Sequence, residues 1–145
     1  MIQSVVTICT GNICRSPVAA AALASTMTNL AVSSAGLHAL AGQGIDPESR
    51  AAAERFGLSV EGHIARQFTR EIGQAADILL VMEQVHRQEI ARLWPQFLGK
   101  TFLIGHFEDG KQIADPYRKG SMLHIHMAEQ VLESALRWSV QLRSV

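Results

Sequence analysis

The chain has 145 residues, 48% of them apolar, and its thirteen basic and thirteen acidic side chains cancel. That size and apolar content fit a single domain over 1–145 with a packed core, and they exclude a disordered chain. A neutral balance gives no general electrostatic reason to bind nucleic acid or an anionic membrane, so any anion site must be local.

The first apolar run is too short for a signal peptide and lacks a basic leader. No stretch reaches the ~20 apolar residues that span a bilayer, so no membrane insertion is expected. Two cysteines, Cys9 and Cys14, make no disulfide scaffold. Together these features point to a cytoplasmic, reducing setting.

In chain order, Ser4–Ile8 reads as a first strand carrying Val5, Val6 and Ile8. A loop follows, and then an Ala-rich helix over Ser16–Thr28, with Ser16 near its cap and Pro17 in the first turn, where proline is tolerated. Ala31–Ser34 is a short second strand, and Leu37–Ile45 is a loop holding Gly42 and Gly44. Asp46 then caps a helix whose first residue is Pro47 and which ends near Phe56-Gly57. The continuous apolar run within Asp77–Met82 reads as a buried strand. Glu83–Trp94 is helical and stops before Pro95, and Thr101–Ile104 is a fourth strand. From about Gly120 to Leu142, Ala128, Val131, Leu132, Ala135, Trp138 and Leu142 recur with a helical period. Strands alternating with helices predict an α/β fold: a three-layer sandwich with a four-stranded parallel sheet between helices. Ligands in such sheets bind at the carboxyl ends of strands, near a topological switch point.

The loop at that place reads Cys9-Thr10-Gly11-Asn12-Ile13-Cys14-Arg15-Ser16. Between a strand and a helix, the backbone N–H groups of a tight loop can converge on an anion, and the helix adds its positive end. Arg15 can hold phosphate oxygens in a bidentate fork. Cys9 would lie at the bottom, where such a field lowers a thiol pKa from about 8.5 to roughly 3.5–7.5. A thiolate facing phosphorus is a nucleophile in place. A free cysteine taken alone is more often a small buried apolar residue; Arg15 in the same loop reverses that preference. Asn12 suits a turn with positive φ. Ser16 suits a helix cap, and it could also donate to the Cys9 sulfur; the two uses are compatible. Asp115 precedes Pro116 and is therefore biased to extended backbone, which suits an acid held over a pocket.

Cys-x5-Arg-Ser after the first strand, with Gly11-Asn12 and Cys14 inside it, resembles the active-site loop of the low-molecular-weight protein tyrosine phosphatases. Asp115-Pro116-Tyr117, Ser33-Ser34-Ala35-Gly36 and His63-Ile64-Ala65-Arg66-Gln67 resemble further segments of that family, so the similarity runs from about Val5 to the last helix. The resemblance implies a metal-free, cofactor-free hydrolysis of phosphotyrosine. Cys9 would be the nucleophile, Arg15 the phosphate anchor and Asp115 the general acid. Thr10, Gly11, Asn12, Ile13, Cys14 and Ser16 would complete the phosphate cradle, and Tyr117 would wall the substrate ring. Ser34 and His63 would support the loop. Some relatives carry a second tyrosine where this chain has Arg118. Leu40 stands where many eukaryotic members carry an aromatic wall, and a leucine there resembles bacterial members that act beside exopolysaccharide tyrosine autokinases. The implied partners are a phosphotyrosine protein such as an autokinase, and inorganic phosphate as product and inhibitor.

Two other classes stay open. An arsenate reductase shares this kind of loop, but no cysteine follows Cys14, so only one using an external thiol would fit. A non-catalytic phosphotyrosine-binding module would be expected to lack Cys9 or Asp115. The curved loop also brings Cys9 and Cys14 close, so that peroxide could convert Cys9 to a sulfenic acid that Cys14 resolves as a disulfide. His124 stands where an aromatic residue is common in the family, and His126 follows it. These histidines and the two cysteines are far apart in sequence, and Cys9-x4-Cys14 does not have tetrahedral zinc spacing, so no metal is expected.

Overall fold

A computed structural model describes residues 1–143. Four strands, β1 (Ser4–Cys9), β2 (Ala31–Gly36), β3 (Ile78–Val81) and β4 (Thr101–Leu103), form one sheet in the order β2-β1-β3-β4, and every pairing is parallel. Ile8 lies beside Ala35 on one side and Val81 on the other. The central strands are covered on both faces, which explains their unbroken apolar sequences. Val5 and Cys9 project into one core with Val18, Ala22 and Leu23 of α1 (Arg15–Thr26) and Met127, Val131 and Trp138 of α5 (Ser121–Arg143). Val6 and Ile8, alternating with them along β1, face the other core, where Ile90 of α4 (Gln84–Leu93) packs with Phe68 and Phe97. The expected three layers are therefore present. Among the described residues, no helix is long and apolar enough to cross a membrane.

The predicted capping of α2 (Pro47–Arg55) holds: the Asp46 carboxylate accepts from the backbone N–H of Glu48 at 3.1 Å and of Ser49 at 3.3 Å. At α1 the expectation needs correcting. The helix begins at Arg15, Cys14 is its cap residue, and Ser16 lies inside the first turn with its hydroxyl turned to the active loop instead of to a helix N–H. Two short elements have no counterpart in the sequence reading. Helix α3 (Arg70–Ala75) is capped by the Thr69 hydroxyl, and a 3-10 helix covers Pro95–Lys100. Both are too short to show a periodic pattern. The first depends on tertiary packing, since Gly73 lies flat against the rings of Phe68 and Phe97 and leaves no room for a Cβ.

The chain leaves β1 toward β2 at one edge and returns past β1 to β3 and β4. The crevice between the diverging connections opens at the carboxyl ends of β1 and β3, where a doubly wound sheet binds its ligand. The loop from Cys9 to Arg15 occupies it.

Candidate active site

The loop is shaped by where its carbonyl groups go. Those of Cys9, Thr10 and Gly11 accept from the backbone N–H groups of Leu37, His38 and Leu40, each at 3.0 Å. The Asn12 carbonyl lies 2.7 Å from His63 Nε2, and the Ile13 carbonyl accepts from the Asp46 N–H at 2.9 Å. Five successive carbonyls are thus drawn outward. In a trans peptide the following N–H points the opposite way, so the amides of Thr10 through Cys14 are turned toward the interior of the loop. That concave row of N–H groups suits an anion.

Asn12 takes φ of 60° and is fully buried. Its Nδ2 donates to Ser16 Oγ at 2.8 Å and to Ser34 Oγ at 3.0 Å, and its Oδ1 accepts from the Arg66 N–H at 2.9 Å. Asparagine is among the few non-glycine residues that accept this backbone conformation readily. The β2 strand must run close beneath it: a Cβ at Gly36 would stand 2.5 Å from the Thr10 carbonyl oxygen. Glycine is needed there for approach, not for backbone freedom.

Cys9 Sγ lies 2.9 Å from Ser16 Oγ. Since the Asn12 amide already donates to that oxygen, the Ser16 hydroxyl proton is available to the sulfur. Arg15 is 2% exposed. Its Nη1 donates to Glu83 Oε1 at 2.6 Å and to the Ile113 carbonyl at 2.8 Å. Among the described residues its buried Nε has no hydrogen-bond partner, and Nη2 approaches Asp115 Oδ2 only at 3.9 Å. One side of the guanidinium is clamped, while an Nε–Nη2 edge is left for a ligand, the fork that matches two phosphate oxygens.

Asp115 sits on the loop before Pro116, its Oδ1 accepting from the Tyr117 N–H at 3.0 Å. The cleft above the loop is lined by Cys9, Arg15, Leu40, Asp115 and Tyr117, together with His38. Tyr117 packs on Ile13, Cys14 and Ala65, and the Arg118 guanidinium lies over its ring at 5.1 Å. The predicted Thr10, Gly11, Ile13 and Cys14 line the same cleft, while Asn12, which does not line it, is joined to Ser16, Ser34 and His63 by hydrogen bonds. Cys9 and Cys14 are both free thiols. Burial pushes the Cys14 thiol up to about 12.

Three participants are absent from the sequence reading. Glu83 follows β3 directly, and its position at a carboxyl end of the sheet was the available signal. His86 Nδ1 accepts from the Glu83 N–H at 3.1 Å, which leaves its proton on Nε2 to donate to Thr10 Oγ1 at 2.9 Å. Burial, and then the nearby Arg15 charge, hold His86 down at about 4, so it is neutral near pH 7. His38 carries no motif and reaches the cleft through the turn after β2.

A cysteine and a half-clamped arginine in an amide-lined loop, with a carboxylate at its rim, are the parts of a phosphoryl-transfer site. The family model for low molecular weight phosphotyrosine protein phosphatases matches residues 4–144. The chain belongs to that family. It is 38% identical over 144 residues to the low molecular weight protein-tyrosine-phosphatase Wzb of Escherichia coli K12, covering 99% of this chain and 98% of Wzb. A crystal structure of Wzb from Escherichia coli K30 with sulphate superposes with a TM-score of 0.95 at 37% identity, covering 98% of this chain and 99% of that one. Vibrio vulnificus Wzb in complex with benzylphosphonate gives 0.94 at 31% identity, covering 97% and 99%. A phosphatase of this family thus takes an aromatic ring carrying a tetrahedral phosphonate.

Proposed function

We propose that this phosphatase removes phosphate from tyrosine side chains through a cysteinyl-phosphate on Cys9. The Cys9 thiolate attacks phosphorus in line, its charge supported by the Ser16 hydroxyl. The Arg15 Nε–Nη2 edge and the inward amides of Thr10 to Cys14 hold the equatorial oxygens, aimed at charge that grows in the transition state. Protonated Asp115 gives its proton to the departing phenolate oxygen. Ionised, it then takes a proton from the water that attacks the cysteinyl-phosphate and releases inorganic phosphate. Glu83 keeps the guanidinium turned to the loop, and Tyr117 and Leu40 flank the phenol ring. The observation that carries this reading is the buried Arg15 with one edge clamped and the other unpartnered over a cysteine.

For the physiological partner we propose a tyrosine autokinase of exopolysaccharide production, on the resemblance of Leu40, the His63–Gln67 segment and the Asp115–Lys119 segment to bacterial members. Hydrolysis of p-nitrophenyl phosphate in excess EDTA tests the chemistry. Turnover should vanish in Cys9→Ser and fall by about 10²–10⁴-fold in Asp115→Asn. Wild-type protein with reduced thiols and no turnover would overturn the reading, and thiol-dependent arsenate reduction would then be assayed. Phosphotyrosine and phosphoserine peptides, offered side by side, test the substrate class; equal rates would remove tyrosine specificity.

A further inference from the structure

At the end of the loop, where Cys14 also lines the cleft, lies a cluster whose side chains the phosphatase chemistry does not use. Cys14 at the end of the loop, Asp46 capping α2 and His124 in the first turn of α5 converge, so that one donor atom from each falls within 4.8 Å of the others. His124 is fully buried, and among the described residues its Nε2 makes no hydrogen bond, although Asp46 Oδ2 stands 3.3 Å away. Its Nδ1 lies 2.8 Å from the Gly120 carbonyl and 3.1 Å from Glu48 Oε2. A proton on Nδ1 satisfies those two oxygens and leaves the Nε2 lone pair facing a carboxylate and a thiol. Lone pair against carboxylate is repulsive unless a cation stands between them. Both ring nitrogens then have the environment of a metal-bound histidine, one aimed at the metal and the other fixed by an outer carboxylate.

We propose that Cys14, Asp46 and His124 bind a thiophilic divalent metal of the zinc type, with Glu48 as the outer partner of His124. A thiolate, a carboxylate and a neutral imidazole are borderline-soft ligands that suit zinc, and the two anionic ones match its charge. Donor atoms around one zinc are roughly 3–4 Å apart, given bonds of about 2.0–2.3 Å, so the present spacing closes with small side-chain shifts. On binding, the Cys14 S–H bond breaks, an S–metal bond forms and the proton leaves to solvent. A fourth position remains for water. The positive N-termini of α2 and α5 oppose a cation here, but the charges of Cys14, Asp46 and Glu48 outweigh them. Tyrosine phosphatase activity does not need this metal. It would tie the last residue of the loop to two helices.

The test is a titration of the full chain with Co²⁺, followed by Zn²⁺ in competition with a chromogenic chelator. Wild type and Cys9→Ser should each take up a single equivalent with a thiolate-to-cobalt charge-transfer band. Cys14→Ser should lose the band, and His124→Phe should bind more than about tenfold more weakly. Asp46→Asn, which keeps an N-capping oxygen, should weaken binding likewise and covers the case of a His124 variant that fails to fold. Loss of the band in Cys9→Ser would place the metal on the nucleophile and overturn the proposal. So would unchanged affinity in folded His124→Phe, or no stoichiometric uptake by wild type.

Discussion

At the floor of the cleft, Cys9, Asn12, Arg15 and Ser16 are all buried, and every loop carbonyl from Cys9 to Ile13 is tied to another segment. At the rim, Leu40 is 39% exposed and the Asp115 side chain 46% exposed, with one local hydrogen bond holding the carboxylate. On the proposed reading the floor holds phosphate, which is the same in every substrate and needs donors fixed before it arrives. The rim meets the part of the substrate that varies and must let product leave. Rigidity and exposure are distributed accordingly, and substitutions should separate the two regions by the kinetic constant they move.

Within the floor, the largest effect after loss of the nucleophile should come from Arg15→Lys. An ammonium keeps the charge but cannot hold Glu83 and the Ile113 carbonyl on one edge while presenting two parallel N–H groups on the other. kcat should fall about 10³-fold, read by steady-state kinetics on p-nitrophenyl phosphate. A loss confined to KM would mean the fork acts on the ground state alone, and the floor would be a binding device instead of a catalytic one.

Asn12→Ala tests whether the floor owes its shape to one side chain. Three hydrogen bonds disappear, leaving the part-buried Arg66 N–H and two serine hydroxyls short of a partner, and alanine tolerates φ of 60° poorly. Stability should drop by about 2–3 kcal/mol in urea unfolding, with kcat lower by roughly 10²-fold. Unchanged stability would show that the outward carbonyl contacts hold the loop without it.

This contrast also explains what the sequence disclosed. Cys9, Asn12, Arg15 and Ser16 are legible because they fall within one short segment between a strand and a helix, and their chemistry is carried by side-chain type. Asp115 stands out only through the resemblance of Asp115-Pro116-Tyr117 to a family segment, since Asp-Pro alone is a common turn. The contacts that shape the loop are not legible, because Leu37, His38, Leu40 and Asp46 act through backbone N–H groups that any residue but proline supplies. Glu83 and His86 reach the site only because β3 lies beside β1, an adjacency fixed by the fold. Ser16 fits a helix cap equally well from sequence; only the position of the Cys9 sulfur shows which use the structure makes of it.

His86 extends the floor into stability. Its native pKa near 4 lies below the ordinary histidine value of 6.5, so the folded state binds its proton less readily than the unfolded chain does. The stabilisation from neutral His86 is therefore complete above about pH 6.5 and is lost as pH falls toward 4, by up to about 3 kcal/mol. Urea unfolding at a series of pH values should show a decline across this window in wild type that is absent from His86→Gln. Parallel declines would assign the acid sensitivity to other groups.

The smallest effects belong to the apolar part of the rim. Leu40→Ala removes a half-exposed side chain that lines the cleft beside Gly11 and leaves the loop's own contacts intact, since Leu40 holds the Gly11 carbonyl through its backbone N–H. Stability should stay within about 0.5 kcal/mol of wild type. KM for a phosphotyrosine peptide should rise a few-fold at unchanged kcat, because an apolar contact on the ring is made equally in ground state and transition state. For p-nitrophenyl phosphate, which has the ring but no peptide, the same rise would assign Leu40 to the ring, and no rise would assign it to the flanking peptide. A fall in kcat with either substrate would mean that the rim is coupled to the floor through the Leu40–Gly11 contact, and the separation between the two regions would fail at that point.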